Sequence, residues 1–476
     1  MPEPVLSAEQ YSELVRERLA GLRGVLADLT RDAPQSAPRR FSESIQILID
    51  TIENLFADRK RVVKERSTSA AEVTDGIVFA ARWSMYLLNN VQQQYFPFLE
   101  KLNSPHVPLP IQPTLQRIGT QFEPTVELYL FPTSEHNYGF SGFRNVVEAF
   151  IQEFRLVIPD DLMLAIQERA EKLPRWFVFL SLPYVVHDSA LNLTPLLHEL
   201  GHFVDFDREI YKKVLPIDIA HSEAAKTLAN ILVQRGSPEQ EVYALCKEIV
   251  RKWVQELIAD LFAIRLAGPA YFYAFVIYAA NIGLDTKAAV SHPSPVIRID
   301  LMLRELEELG YFLKSSPKAI RTSLQEWKRW IRAQKLEPED TSMHIAFLAI
   351  KDNSAKIAQF VRKYASPLPY RTQTYKENVP GLIADLEKGI PPIDQLDAQG
   401  TRFIPSDLAD ILNSAWSAYM FSLDKLEDLI ECKAEDKRRI AVRTLNELVL
   451  KAIEASEILW KCQASPGEEA WPSSPE

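Results

Sequence analysis

Cysteine is scarce in this chain. Cys246, Cys432 and Cys462 are the three in 476 residues, far apart and odd in number, which indicates neither a disulfide framework nor a cysteine-ligated metal site. A reducing compartment, the cytoplasm, is therefore the expected location. Positive charge is short as well. Lys and Arg number 54 against 64 Asp and Glu, a formal net charge of -10, so no basic excess exists to neutralise a nucleic-acid backbone. Long apolar runs are missing. The most apolar stretch, Ala270 to Leu284, is too short and too aromatic to span a bilayer, and it reads as a buried core helix rather than an integral membrane segment. The first residues, Met1 to Ser7, lack the basic and apolar segments of a secretory signal.

What remains is globular composition with a mainly helical pattern. Apolar residues recur at helical spacing over Ala8–Leu29, over Ser42–Lys64, and again where Ile77, Phe79, Ala80, Trp83, Tyr86 and Leu87 follow one another. Two runs rich in β-formers, Thr125–Phe131 and Trp176–Leu182, each closed by proline, predict strands, with helical stretches near Phe143–Phe154 and Asp160–Glu171 between them. From Thr194 onward the pattern predicts helix after helix: 222–235, 239–267, 270–282, 295–309, 316–333 and 341–364. Linkers are expected at Ser366–Pro369 and Gly389–Pro392, and two more helices near 406–430 and 434–460. The expected organisation is a helical region over 1–110, a core with a small β-sheet over 111–310, a second helical region over 311–463 and a disordered tail over 464–476.

At the centre stands His198-Glu199-Leu200-Gly201-His202. Histidines four apart on a helix project from one face, close enough to hold one metal ion, with the glutamate between them free to act on a water. Thr194 and Pro195 read as an N-cap followed by proline at the first helical position, which puts His198 in the first turn. Gly201 costs a helix interior roughly 1 kcal/mol relative to alanine, so a close approach by a second helix or a substrate backbone is expected there. Downstream, Glu256 and Asp260 share a helix face with the apolar Ile249, Trp253, Ala263 and Ala267. Buried carboxylates need partners. Zinc would satisfy Glu256 and a ligand imidazole N–H would satisfy Asp260; pairing of Glu256 with Lys252 on a solvated face is the plainer alternative. A third segment, Ser291 to Arg298, stiffened by Pro293 and Pro295, carries His292 and Arg298 toward the same region, where they could serve an oxyanion or simply a turn at a helix start.

Together these segments resemble the gluzincin zinc metallopeptidases, and within them the HtpX-like and CaaX-processing protease group; the downstream-Glu arrangement is also similar to the ImmA-like bacterial peptidases. The resemblance runs from Thr194 to Arg298 and leaves the flanks unmatched. It implies a mainly α fold with a gluzincin-like catalytic core, Zn2+ held by His198, His202 and Glu256, Glu199 as general base, Asp260 supporting a ligand histidine, and His292 and Arg298 serving the transition state or the fold around it. Members of that group are embedded in membranes through long apolar helices. This chain has none, so a soluble relative is expected, hydrolysing peptide bonds of a protein or peptide substrate, with a regulatory partner or homo-oligomer as further possibilities. The alternative is a zinc-fold interaction or sensor module without catalysis.

Other residues carry weaker readings. Asp205, three residues after His202, is an awkwardly placed rival ligand. His187-Asp188 reads as a loop or cap pair, His221 with Glu223 as a helix start, and His106, His136 and His344 as structural or exposed. Trp327 and Trp330 read as helix packing rather than nucleic-acid stacking.

Overall fold

In the computed structural model, the described residues are 7–31, 38–102, 110–134, 138–144, 147, 148, 150, 152, 158, 160–184, 189–214, 223–236, 238–284, 287–334, 336–364, 369–396 and 403–464. Their contacts divide the chain into two compact units. One comprises Met1–Val107, Glu123–Thr133 and Ser141–Ser181; the other comprises Pro108–Phe122, Ser134–Phe140 and Leu182–Glu476. The fold is mainly α with a small β-sheet, as the sequence predicts.

The first unit is built from α1 (Ala8–Arg31), α2 (Pro38–Arg66) and α3 (Ala70–Leu102), with a short helix and a sheet. In α3 the buried stripe is Ile77, Ala80, Ala81, Ser84, Leu87, Leu88 and Val91, a helical period that leaves Phe79 and Tyr86 exposed, contrary to the apolar face expected for them. After α4 (Ile111–Thr120), which belongs to the second unit, come β1 (Val126–Thr133), β2 (Gly139–Arg144), α5 (Asp160–Ala170) and β3 (Trp176–Pro183). The sheet order is β1-β3-β2, so β3 is central and buried on both faces. That is why Phe177, Val178, Phe179 and Leu180 form an unbroken apolar run, all fully buried, instead of alternating. Phe41 of α2 packs edge-on against Phe177 and Phe179, with ring centroids 5.2 and 4.9 Å away, and Tyr129 of β1 stacks on Phe179 at 5.1 Å. β2 departs from the sequence reading. Gly139, Ser141 and Gly142 disfavour helix, and Phe143, expected to start one, instead meets Phe98 and Phe179. Beyond Arg144 the described residues of that expected helix, Val147, Glu148, Phe150 and Gln152, are helical, and the others lie outside the described residues.

The second unit continues with α6 (Leu196–Arg208), α7 (Ile210–Val214), α8 (Glu223–Gln234), α9 (Glu239–Ala267), α10 (Pro269–Ile282), α11 (Pro295–Glu308), α12 (Lys318–Arg332) and α13 (Thr341–Tyr364). These agree closely with the predicted helices. α9 is the axis of the unit: α6, α10, α11 and α13 all pack on it. Its C-terminus breaks at Gly268, whose φ of +56° and closeness to Tyr370 and Tyr311 leave no room for a side chain. Beyond Tyr364 the sequence reading missed α14 (Thr372–Leu386), because Pro380 lies inside it. The buried residues Thr372, Tyr375, Val379, Leu382 and Leu386 nonetheless follow a helical stripe, and Pro380 sits on the exposed side. Gly389 falls in the turn after α14, and a small antiparallel pair, β4 (Asp394–Leu396) with β5 (Phe403–Pro405), was not foreseen. The helix expected over 406–430 is two, α15 (Leu408–Phe421) and α16 (Leu423–Asp428), broken at Ser422, before α17 (Ala434–Ala464). Of residues 464–476, read as a disordered tail, Ala464 instead closes α17, and 465–476 lie outside the described residues. No described helix is long and apolar enough to cross a membrane.

Candidate metal centre

The centre is assembled where α6 crosses α9. His198 and Glu199 fall in the first turn of α6, as the spacing predicts, and the His198 N–H donates to the Pro195 carbonyl at 2.9 Å. Thr194 does not cap the helix. Pro195 occupies the N-cap position, while the Thr194 hydroxyl, fully buried, accepts the indole N–H of Trp416 at 3.0 Å. The segment just before is pinned from α17, because Asn446 accepts both the Leu191 N–H and the Ser189 hydroxyl. The glycine in the motif has the reason expected of it. A Cβ on Gly201 would lie 2.8 Å from the Ala259 Cα and 3.0 Å from the Ala259 carbonyl oxygen, so the two backbones touch here.

That contact brings three ligating groups together. His198 Nε2 and His202 Nε2 stand 3.1 Å apart, and each lies 3.4 Å from an oxygen of Glu256. A tetrahedron with metal bonds of roughly 2.0–2.1 Å has edges of about 3.3 Å. The three groups thus already describe one of its faces, and two imidazoles with a carboxylate are donors that suit Zn2+. Lys252 turns instead to Glu248, at 3.5 Å, so the solvated-face alternative for Glu256 does not hold.

Asp260 is fully buried and saturated with donors. Arg298 grips it with two hydrogen bonds, Nε to Oδ2 and Nη2 to Oδ1, both 2.7 Å. His198 Nδ1 lies 3.0 Å from Oδ1, and the Tyr271 hydroxyl donates to the same oxygen at 2.6 Å. Burial opposes charge on Asp260, but the Arg298 guanidinium outweighs it and holds the carboxyl at about 2. Glu256 is likewise held well below the usual carboxylate range: burial pushes up, while hydrogen bonding to His198 and His202 and the charge of Arg298 push down harder. For His198 burial disfavours the proton, and the carboxylates of Asp260 and Glu256 reverse that, raising its pKa to about 10.

Arg298 lies mostly buried at the start of α11. Its third nitrogen, Nη1, is 3.4 Å from Glu256, and its guanidinium sits 4.6 Å over the Phe275 ring. All of it is engaged by protein. His292 is different: its Nε2 is 3.5 Å from Glu256 Oε1, its Nδ1 meets Ser291 Oγ at 2.8 Å, and about half of its side chain is exposed. The loop carrying it is tied to α9 by the Trp253 indole, which donates to the Ala289 carbonyl at 2.8 Å, and the Ala289 N–H donates to His292 O.

His198, His202, Glu256, Tyr271, His292 and Arg298 line a cavity of about 650 Å3 within the second unit, with Asp260 behind its wall. Glu199 is on its wall beside both histidines, and the charge of Glu199 contributes, after burial, to raising the phenols of Tyr138 and Tyr278. Asp205 stays outside the group of ligands. It accepts the Tyr211 N–H at 2.7 Å, and burial pushes its carboxyl to about 6. Trp327 packs against Phe272 and Trp330, as read. His344 is partly exposed, 4.0 Å from Glu337, whereas His106, His136, His187-Asp188 and His221 lie outside the described residues.

Sequence reasoning brought His198, Glu199, His202, Glu256, Asp260, His292 and Arg298 to one place, and the structure does the same. It missed Tyr271. The one signal was a stripe of Tyr271, Phe275 and Tyr278 at spacings of four and three on α10, which an apolar helix conceals. No protein-family model, no curated protein and no solved structure matches the chain.

Proposed function

We propose that this cavity is the active site of a zinc-dependent metallopeptidase that hydrolyses peptide bonds of a protein or peptide substrate. One observation carries the reading. Three ligand atoms 3.1–3.4 Å apart form an open face at the wall of a cavity, with a further carboxylate, Glu199, beside them. A site meant only to bind a structural ion has no use for that extra carboxylate. His198, His202 and Glu256 would hold the Zn2+, which when bound would supply Lewis acidity to a water and a substrate carbonyl. Glu199 takes the proton of the attacking water on its carboxylate and returns it to the leaving amine. His292, exposed to the cavity, donates a hydrogen bond to the carbonyl oxygen as charge builds there. Arg298 is a positioning residue, since its nitrogens are spent on Asp260 and Glu256. Asp260 fixes the tautomer of His198.

The cysteines, all unpaired, fit a reducing cytoplasm, and the substrate or a regulatory partner is a protein met there. The test is metal analysis of the purified protein combined with proteome-wide detection of new N-termini. Wild type is expected to carry roughly one zinc and to generate new N-termini that Glu199→Gln, equally zinc-loaded, does not. Equal cleavage by both proteins would reject the proposed base; zinc without cleavage by either would make the site a binding module.

A further inference from the structure

We infer that Tyr271 is a positioning residue for the imidazole of His198, so that zinc affinity is set from α10 as well as from Asp260. The inference rests on the metal reading above. Tyr271 is the third residue of α10, and the start of that helix is clamped from α15: the Ala270 N–H donates to Asn413 Oδ1 at 3.1 Å, while the Asn413 amide donates to the Ala267 carbonyl at 2.7 Å. The phenol is thereby aimed from a fixed base. Its oxygen lies 2.6 Å from Asp260 Oδ1 and 3.1 Å from His198 Nδ1, and its ring is parallel to the imidazole within 6°.

For Nε2 of His198 to present a lone pair to a cation, the ring proton must sit on Nδ1. Two oxygens face that N–H at nearly equal distance, Asp260 Oδ1 at 3.0 Å and Tyr271 Oη at 3.1 Å. Since the Asp260 carboxylate only accepts, the phenol gives it its own proton and keeps its lone pairs toward Nδ1. Asp260 retains two bonds from Arg298 if the phenol is removed, so its charge remains compensated. What disappears is the second of two contacts that stop the imidazole from swivelling. Partners of ligand histidines commonly change metal affinity by about 10–100-fold.

Tyr271→Phe keeps the ring and deletes the hydroxyl; Tyr273→Phe deletes another buried phenol of the same helix, one that does not line the cavity. On the full chain, zinc affinity is measured by chelator competition, the Co2+-loaded site by its absorption spectrum, and the chelator-treated protein by its melting temperature. The expected result is zinc bound about tenfold more weakly by Tyr271→Phe, with displaced Co2+ bands and a melting temperature near wild type, while Tyr273→Phe binds as wild type does. Unchanged affinity and spectrum in Tyr271→Phe, or equal weakening in both variants, overturns the inference and leaves the metal reading standing. A wild type that takes up neither ion removes both.

Discussion

The two units bury different things. In the first, the core around Phe41, Leu48, Tyr129, Phe177 and Phe179 is aliphatic and aromatic, and among the described residues Glu123 is the one acidic or basic side chain counted as buried. In the second, His198, Glu199, Asp205, Asp260, Arg265, Glu305, Asp410 and Glu457 are all buried. Some of these charges form purely structural knots, as where Glu305 takes Arg265 at 2.7 Å and Arg362 at 2.8 Å. Buried ion pairs are weak stabilisers, because desolvation offsets most of their attraction. A unit that accumulates them gains definition of geometry more than free energy, and in the second unit the densest group surrounds the two histidines. The core of the first unit is packed by apolar burial, with ion pairs such as Arg23–Asp50 at its partly exposed margin; the second holds a set of ligand atoms in register.

That contrast can be broken in four ways. The largest effect is expected from pH on the chelator-treated protein. Because the folded-state pKa of His198 is raised from 6.5 to about 10, its contribution is present in full below pH 6.5 and is lost as pH rises through about 10. Asp260, lowered from 3.8 to about 2, contributes above 3.8 and loses that contribution as pH falls through about 2. Protection against hydrogen exchange, relative to the intrinsic rate at each pH, should therefore fall in α6 and α9 at both extremes, with α2 and β3 less affected. Uniform behaviour across the two units would erase the distinction.

Next in size, Asp260→Ala leaves the Arg298 guanidinium buried without its main partner. A cost of about 3–5 kcal/mol is expected in chemical denaturation, together with zinc binding weakened about 10–100-fold. Leu48→Ala, in the fully buried core of the first unit, should cost about 3 kcal/mol and leave zinc affinity unchanged. If it weakens the metal site, the units are not energetically separable. Smallest is Gly201→Ala. Its Cβ meets backbone rather than a movable side chain, so strain of about 1–3 kcal/mol outweighs a helix-propensity gain of roughly 1 kcal/mol, and zinc dissociates faster as α6 is pushed from α9. A more stable variant with unaltered zinc release would show that the helices tolerate separation.

How far the sequence spoke depends on the kind of signal. α9 was readable to its ends, and Glu256 with Asp260 could be placed on one apolar face, because a 3.6-residue period is local information. The role of Gly201 was readable too, since an unexplained glycine in a helix asks for a close neighbour. Thr194 misled because a threonine before a proline carries the cap signature whether its hydroxyl turns to the helix or, as here, to Trp416 from more than two hundred residues away. Tyr271 was hidden by its own helix, which is apolar almost all round, so that a phenol serving Asp260 looks like one more core ring. α14 was obscured by Pro380, whose cost falls on the exposed side where the pattern could not reveal it. Local periodicity reported which faces are buried; it could not report which distant polar groups meet there.

The most direct test of the account is X-ray absorption at the zinc edge of the purified, zinc-loaded protein. Two imidazole nitrogens with oxygen donors at about 2.0–2.2 Å and no sulfur are predicted, with the imidazole signal reduced in His202→Ala. Zinc ligated by sulfur, or a spectrum that His202→Ala leaves unchanged, would contradict a centre built from His198, His202 and Glu256.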